Sequence, residues 1–114
     1  MPADVPTTAP VIKAQKIAIV NSGGYVMWAR VHYKDTGNNE QTTGWSGTYT
    51  NPDRHVVDMS QAAGITTGCA MWPEMAAMAG RWATGSQVLY APNGHTAVFT
   101  AKGATVNPWL EFVE

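Results

Sequence analysis

Few residues of this chain have the types and spacing that chemistry needs. The three histidines, His32, His55 and His95, fall on separate predicted strands or strand ends. None has the short interval, such as H-x-x-x-H, that brings two imidazoles onto one metal. They read as surface or half-buried histidines, and Asp53 and Asp58 beside His55 form a site only if the fold gathers them. Nucleophilic catalysis needs a serine or cysteine activated by a base. Ser46 in "GWSG" is one residue short of a G-x-S-x-G elbow, and Cys69 stands among Gly, Ala and Met with no neighbouring charge to activate it. Cys69 therefore reads as a small buried hydrophobe. Eight acidic residues offer no distinctive carboxylate pair, and neither a dinucleotide nor a P-loop glycine pattern occurs. The expectation is a chain without catalysis, metal or cofactor.

The informative residues are aromatic and polar. There are five Trp and four Tyr in 114 residues, while charged residues make up only 13%. An indole or phenol offers a flat apolar face with one polar tip. That combination suits the C–H face of a sugar ring, and it equally suits the headgroup zone of a bilayer. A small core poor in Leu and Ile also consumes aromatics, so three of the five tryptophans are assigned to packing. Trp28, on the polar face of its strand with Arg30 and His32, is the first candidate for exposure. Trp45, after a polar loop, is the second, and Trp72 the third. Asn38, Asn39, Gln41 and Asn51 would supply hydrogen bonds from neighbouring loops, and Asp53 would accept from a hydroxyl. These eight residues are the candidate ligand site. The ligand they suggest is a neutral glycan or glycoconjugate. The alternatives are a module that attaches to membrane lipid headgroups and a structural protein that assembles through exposed β-edges into a homo-oligomer.

The elements that must position these residues are strands. "YVMWARVHY" (25–33) alternates, with Tyr25, Met27, Ala29, Val31 and Tyr33 on the core face. With "IKAQKIAIV" (12–20) and the turn "NSGG" it reads as a hairpin. "KDTGNNEQTTG" (34–44) reads as a loop, "WSGTYT" (45–50) and "HVVDMS" (55–60) as strands. "SQVLYA", "PNG" and "HTAVFTAK" (86–102) read as a second hairpin, because Asn-Gly is a strong turn signal. "WLEFVE" (109–114) is the last strand. The segment "GCAMWPEMAAMAGRW" (68–82) has two readings. Met71, Met75, Met78 and Trp82 are spaced 4, 3 and 4, which fits a short helical turn opened by Pro73 and closed by Gly80. The rival is a pair of strands, "CAMW" and "RWATG", flanking a loop. In either case the methionines read as packed against one end of the core rather than as a membrane anchor, because Arg81 is the only cation there. The fold class is all-β: one antiparallel β-sandwich over 12–114, with at most one short helical turn near 73–80. Residues 1–11, with Pro2, Pro6 and Pro10, read as an extended arm.

Net charge is −1 and the seven Lys and Arg are scattered, which argues against nucleic acid. A single cysteine excludes an intrachain disulfide. The first ten residues have neither the basic start nor the apolar centre of a signal peptide. The expected location is cytosolic, or outside the cell by a signal-independent route.

Two segments, "QKIAIVNSGGY" and "APNGHTAVFTAKG", resemble the actinoporin-like superfamily, which includes sea-anemone cytolysins and fungal fruit-body lectins. The resemblance covers about half of the chain. It implies a β-sandwich and either glycan binding or attachment to phosphocholine or sphingolipid headgroups through an aromatic cluster. The chain departs from the cytolysins in its N-terminus, since "MPADVPTTAP" is not an amphipathic helix. It is also shorter than the lectins.

Overall fold

The computed structural model describes residues 11–114; the expected arm lies outside them apart from Val11. Ten strands follow in order: β1 (Lys13–Ala14), β2 (Lys16–Asn21), β3 (Met27–Lys34), β4 (Glu40–Thr42), β5 (Arg54–Asp58), β6 (Ala70–Ala77), β7 (Trp82–Thr84), β8 (Val88–Tyr90), β9 (Thr96–Ala104) and β10 (Asn107–Phe112). The one helical element among the described residues is a 3-10 turn, Met59–Gln61, capped by the Asp58 carboxylate on the Ser60 N–H. The strands form two sheets. One has the order β1-β8-β6-β3-β4 with β7 also on β6, and the other the order β10-β9-β2-β5. The all-β expectation holds, and both sheets mix parallel and antiparallel pairs: β1 runs parallel to β8, and β2 parallel to β9.

The core lies between the sheets and follows the period of two. Met27, Ala29, Val31 and Tyr33 of β3 point inward as expected, against Ile17, Ile19, Phe99 and Ala101 of the other sheet. Burying such side chains gives about 1.5–3 kcal/mol each.

Neither expected hairpin forms. β2 and β3 lie in different sheets, as do β8 and β9, so "NSGG" and "PNG" are crossovers between layers. The alternation of β2 and β3 marked the buried faces, but burial is satisfied as well by facing strands as by paired ones. Similarly, "WSGTYT" is not a strand. The segment 43–49 runs beside β3, but the Thr43 and Ser46 hydroxyls accept the Val31 and Ala29 N–H groups at 2.9 Å. Side-chain oxygens there replace ladder carbonyls.

The helical turn at 73–80 does not exist: β6 runs unbroken from Ala70 to Ala77. The spacing of four between Met71 and Met75 is also even. Met71, Pro73, Met75 and Ala77 therefore share the inward face of a strand, and Met78 falls in the following turn. The methionines at 71 and 75 lie in the centre of the core rather than capping one end. A proline interior to a central strand loses a ladder bond. Here β8 pairs Ala70 and Met71, β7 pairs Glu74 to Ala76, and Pro73 falls in the gap between them. Its carbonyl accepts the Gly85 N–H at 2.9 Å on that flank, so the missing donor points where no strand needs it.

Candidate functional site: an apolar loop tip

β2 and β9 run parallel toward the same end, β2 stopping at Asn21 opposite Ala101 and β9 three residues further on at Ala104. The loops that follow them, 22–26 and 105–106, therefore meet at one end of the sandwich. The turn 78–81 joins them there because Ala77 pairs with Met27, and residues 50–53 do so because Arg54 pairs with Val20. Bonds across the two sheets lock these four segments. The Arg81 N–H donates to the Thr105 carbonyl (3.0 Å) and the Met78 N–H to that of Val26 (2.8 Å). The Tyr25 hydroxyl donates to the Lys102 carbonyl at 2.7 Å. The fully buried Asn21 is the hub: its amide donates to the Tyr25 and Tyr49 carbonyls, and its Oδ1 accepts the Gly23 N–H. Burial pushes the Tyr25 and Tyr49 hydroxyls above their ordinary range, with the Tyr25 charge adding to the effect on Tyr49, so both remain donors at neutral pH. Gly80 lets the two turns touch, since a Cβ there would lie 2.3 Å from Thr105 Cγ2 and 2.4 Å from its carbonyl oxygen.

The rigid tip is apolar where a turn is normally polar. Val106 is 72% exposed and Met78 48%. Trp82, 59% exposed, flanks them on one outer face, and Trp109, 45% exposed, on the other. Asp53 and Arg81 are the charged residues within the four segments. The shape is an apolar apex with an indole on each side.

Trp82 belongs to a larger aromatic surface on the outer face of β3, β6 and β7. Trp45 meets Trp28 edge-on at 6.4 Å and Trp82 at 5.4 Å between centroids. The Arg30 guanidinium sits 4.2 Å over the Trp45 ring, and its Nε donates to Glu74 Oε1 at 2.8 Å. His32 Nε2 lies 2.6 Å from the same Glu74 oxygen, Nδ1 lies 3.2 Å from Glu40, and the ring stacks on Trp72 at 5.3 Å. Glu74 is buried, and the Arg30 guanidinium and the His32 ring nitrogen both meet its Oε1.

The eight sequence-derived candidates do not form one group. Trp28, Trp45 and Trp72 are half-buried in the aromatic surface. Trp28 and Trp45 stand at 86° to each other, so one flat sugar ring cannot stack on both. No tryptophan is fully buried, contrary to the three assigned to the core: small Ala and Met side chains fill the interior, and the indoles cover its outer layer. Cys69 is likewise only half-buried. Asn38, Asn39 and Gln41 lie at the other end of the molecule, around Asp35. The carboxylate of Asp35 accepts the Gly37 and Asn39 N–H groups and the Gln41 amide; the Asn39 bond foremost holds it below the usual carboxylate range. Asn38 adopts a left-handed turn there (φ 63°) and lines a polar cleft of about 410 Å³ with Lys34, Asp35, Thr36, Thr66 and Thr67. Asn51 and Asp53 are at the tip. Asn51 donates to the Gly23 carbonyl and borders an uncharged cleft of about 370 Å³ with Gly23, Gly24, Tyr25, Val26 and Thr50. The three histidines stay apart: His32 on the aromatic surface, His55 on β5 beside Tyr49, and His95 at the start of β9. No cluster of three metal-ligating side chains occurs among the described residues. Sequence reasoning missed Met78, Trp82, Val106 and Trp109. For Met78, Trp82 and Val106 the available signal was a large apolar residue within three positions of Gly80 or Gly103, where a turn calls for polar side chains; Trp109 lies on the following strand and carried no such signal.

No protein-family model matches the sequence, and no curated protein matches it. Among solved structures, the chain is similar to the membrane-binding domain of pneumolysin, at 14% identity over 87% of this chain and 95% of that one, with a TM-score of 0.47. It is similar to listeriolysin O at 19% identity over 86% of this chain and 22% of that one, TM-score 0.46. It is similar to the human-specific toxin intermedilysin at 12% identity over 86% and 22%, TM-score 0.45. The chain thus spans about a fifth of the length of listeriolysin O and of intermedilysin. None of these solved structures is described as an actinoporin or a fruit-body lectin.

Proposed function

We propose that this domain attaches to membranes, inserting its loop tip into the headgroup zone of a bilayer. One observation carries the reading: Met78 and Val106 project from two turns locked together, with Trp82 and Trp109 on opposite flanks of the same end. Apolar side chains at the apex gain by leaving water, and indoles on either side settle at the level of the headgroups. The Met78, Gly80 and Arg81 N–H groups are already bonded, to the Val26, Ala77 and Thr105 carbonyls, so shallow entry does not strip them of partners. No described helix is long and apolar enough to cross a membrane. The pneumolysin neighbour is described as a membrane-binding domain; the proposal rests on the surface chemistry, and that distant likeness in fold is not needed for it.

A glycan reading retains one specific support. The uncharged 370 Å³ cleft beside Asn51 opens at the same end and is large enough for one sugar ring. Flotation with phosphatidylcholine vesicles, with and without sphingomyelin, separates the two. Lipid attachment carries the protein upward with the vesicles and is insensitive to free sugars. If the protein stays at the bottom with every vesicle composition, the membrane proposal fails.

A further inference from the structure

The outer face of the β10-β9-β2-β5 sheet has a pattern that the tip does not use. The strand register sorts its side chains into cross-strand rows. One row is apolar: Val56, Ala18 and Val98, followed by Val113, whose N–H donates to the Val98 carbonyl. The next row toward the tip reads Arg54, Val20, Thr100 and Glu111, with a cation at one edge and an anion at the other. The Glu111 carboxylate is fixed in place by Lys102 Nζ at 3.0 Å and by the Trp109 indole N–H at 3.1 Å. At the two edges of the apolar row, Val56 is 48% exposed and Val113 57%, so no described element covers them.

We propose that a second copy of this chain covers this face, related by a two-fold axis that runs parallel to the strands between β2 and β9. Aligned sheets pack about 10 Å apart. Such an axis exchanges the two edges of the sheet but keeps every row at its own height. Arg54 then faces the partner's Glu111, and the partner's Arg54 faces Glu111. Val56 meets the partner's Val113, the two exposed valines at the edges of the row, while Ala18 between them is already buried within its own copy. A two-fold axis across the strands, through the apolar row, sets Arg54 over the partner's Asp58 but no longer opposes Arg54 and Glu111, and it places Val20 over the partner's Lys16.

The chosen axis also leaves both tips at the same end. Two copies then meet one bilayer together, and their linked attachment gains by effective concentration. That consequence rests on the membrane reading, whereas the dimer itself does not. Four strands about 4.8 Å apart and three to four rows give a patch of roughly 450 Å² per copy. A standard stable interface buries about 800 Å² per partner. The dimer is therefore weak in solution.

Sedimentation equilibrium without lipid, over micromolar to millimolar protein, tests the pairing apart from the membrane reading. The expected result is a reversible dimer in the wild type. Arg54→Glu or Glu111→Arg alone weakens it by about tenfold or more, because each places like charges opposite one another twice. The double variant restores it. In a Cys69→Ser background, Val56→Cys with Val113→Cys forms an oxidised dimer that neither single variant reproduces. A wild type that stays monomeric at millimolar concentration overturns the proposal. So does a dimer indifferent to both charge reversals, or a cross-linking yield equal in the single and double variants. Thermal melting checks that each variant is folded.

Discussion

The tip variant Met78→Ser/Val106→Ser separates membrane attachment from folding. Fully burying a Val or Met side chain is worth about 1.5–3 kcal/mol. Val106 is 72% exposed and Met78 48%, so immersion leaves each about 1.2 kcal/mol to gain. Replacing both with serine removes about 2.5 kcal/mol, equivalent to a 50- to 100-fold fall in partitioning. Both are exposed turn residues outside the core, and substitutions at such positions change stability by about 0.5 kcal/mol or less. The assay is vesicle titration followed by tryptophan emission, because Trp82 and Trp109 flank the apex and report its immersion. We expect the wild type to shift to the blue with added lipid. The double variant should need 50- to 100-fold more lipid at an unchanged melting temperature. Equal lipid demand in the two proteins would refute the reasoning, because the apex would then make no contact with the bilayer. Trp28→Phe, on the half-buried aromatic surface, is the comparison that should leave partitioning unaltered.

Three further expectations follow from the same geometry. Gly80→Ala drives a Cβ into Thr105 and should part the two turns, costing roughly 2 kcal/mol in thermal unfolding and loosening the tip. Glu74→Ala leaves Arg30 and His32 facing a buried apolar wall; with Arg30 partly open to solvent we expect a loss of about 2 kcal/mol, smaller for Glu74→Gln, with a change in Trp82 emission. Burial holds the His55 imidazole below its ordinary range, so between pH 6.5 and its folded value the unfolded chain binds more protons than the native one. Stability should therefore fall as pH drops below about 6.5, and His55→Gln should flatten that slope in melts across pH 5 to 8.

How far these features could be read from residues alone differs by kind. Faces were legible: the alternation in 25–33 identified Met27, Ala29, Val31 and Tyr33 as buried, because a strand has only two sides. Partnership was not. The period of two in β2 and in β3 would be the same whether they paired or faced each other across the core. The proline and methionine spacing at 71–78 fitted a helix because one interval of four is also even. A turn then supplied the next residue. For the candidate site, Trp28 and Trp45 were expected to be the exposed tryptophans and are half-buried, whereas Trp82 and Trp109 are the exposed ones. The right angle between Trp28 and Trp45, and the cation over Trp45, depend on contacts between β3, the segment after β4 and β7 that no local pattern encodes. The tip was missed for the same reason: Met78 and Val106 are 28 positions apart, and the parallel pairing of β2 with β9 is what makes them neighbours.

Pro73 divides one flank of β6 into two separate neighbours. Because that residue has no N–H to offer, the short strand at 82–84 and the one at 88–90 are held by different bonds. On the membrane reading, a pull on Trp82 bears first on the three register positions from Glu74 to Ala76, on the flank of the strand whose Met71 and Met75 lie in the core.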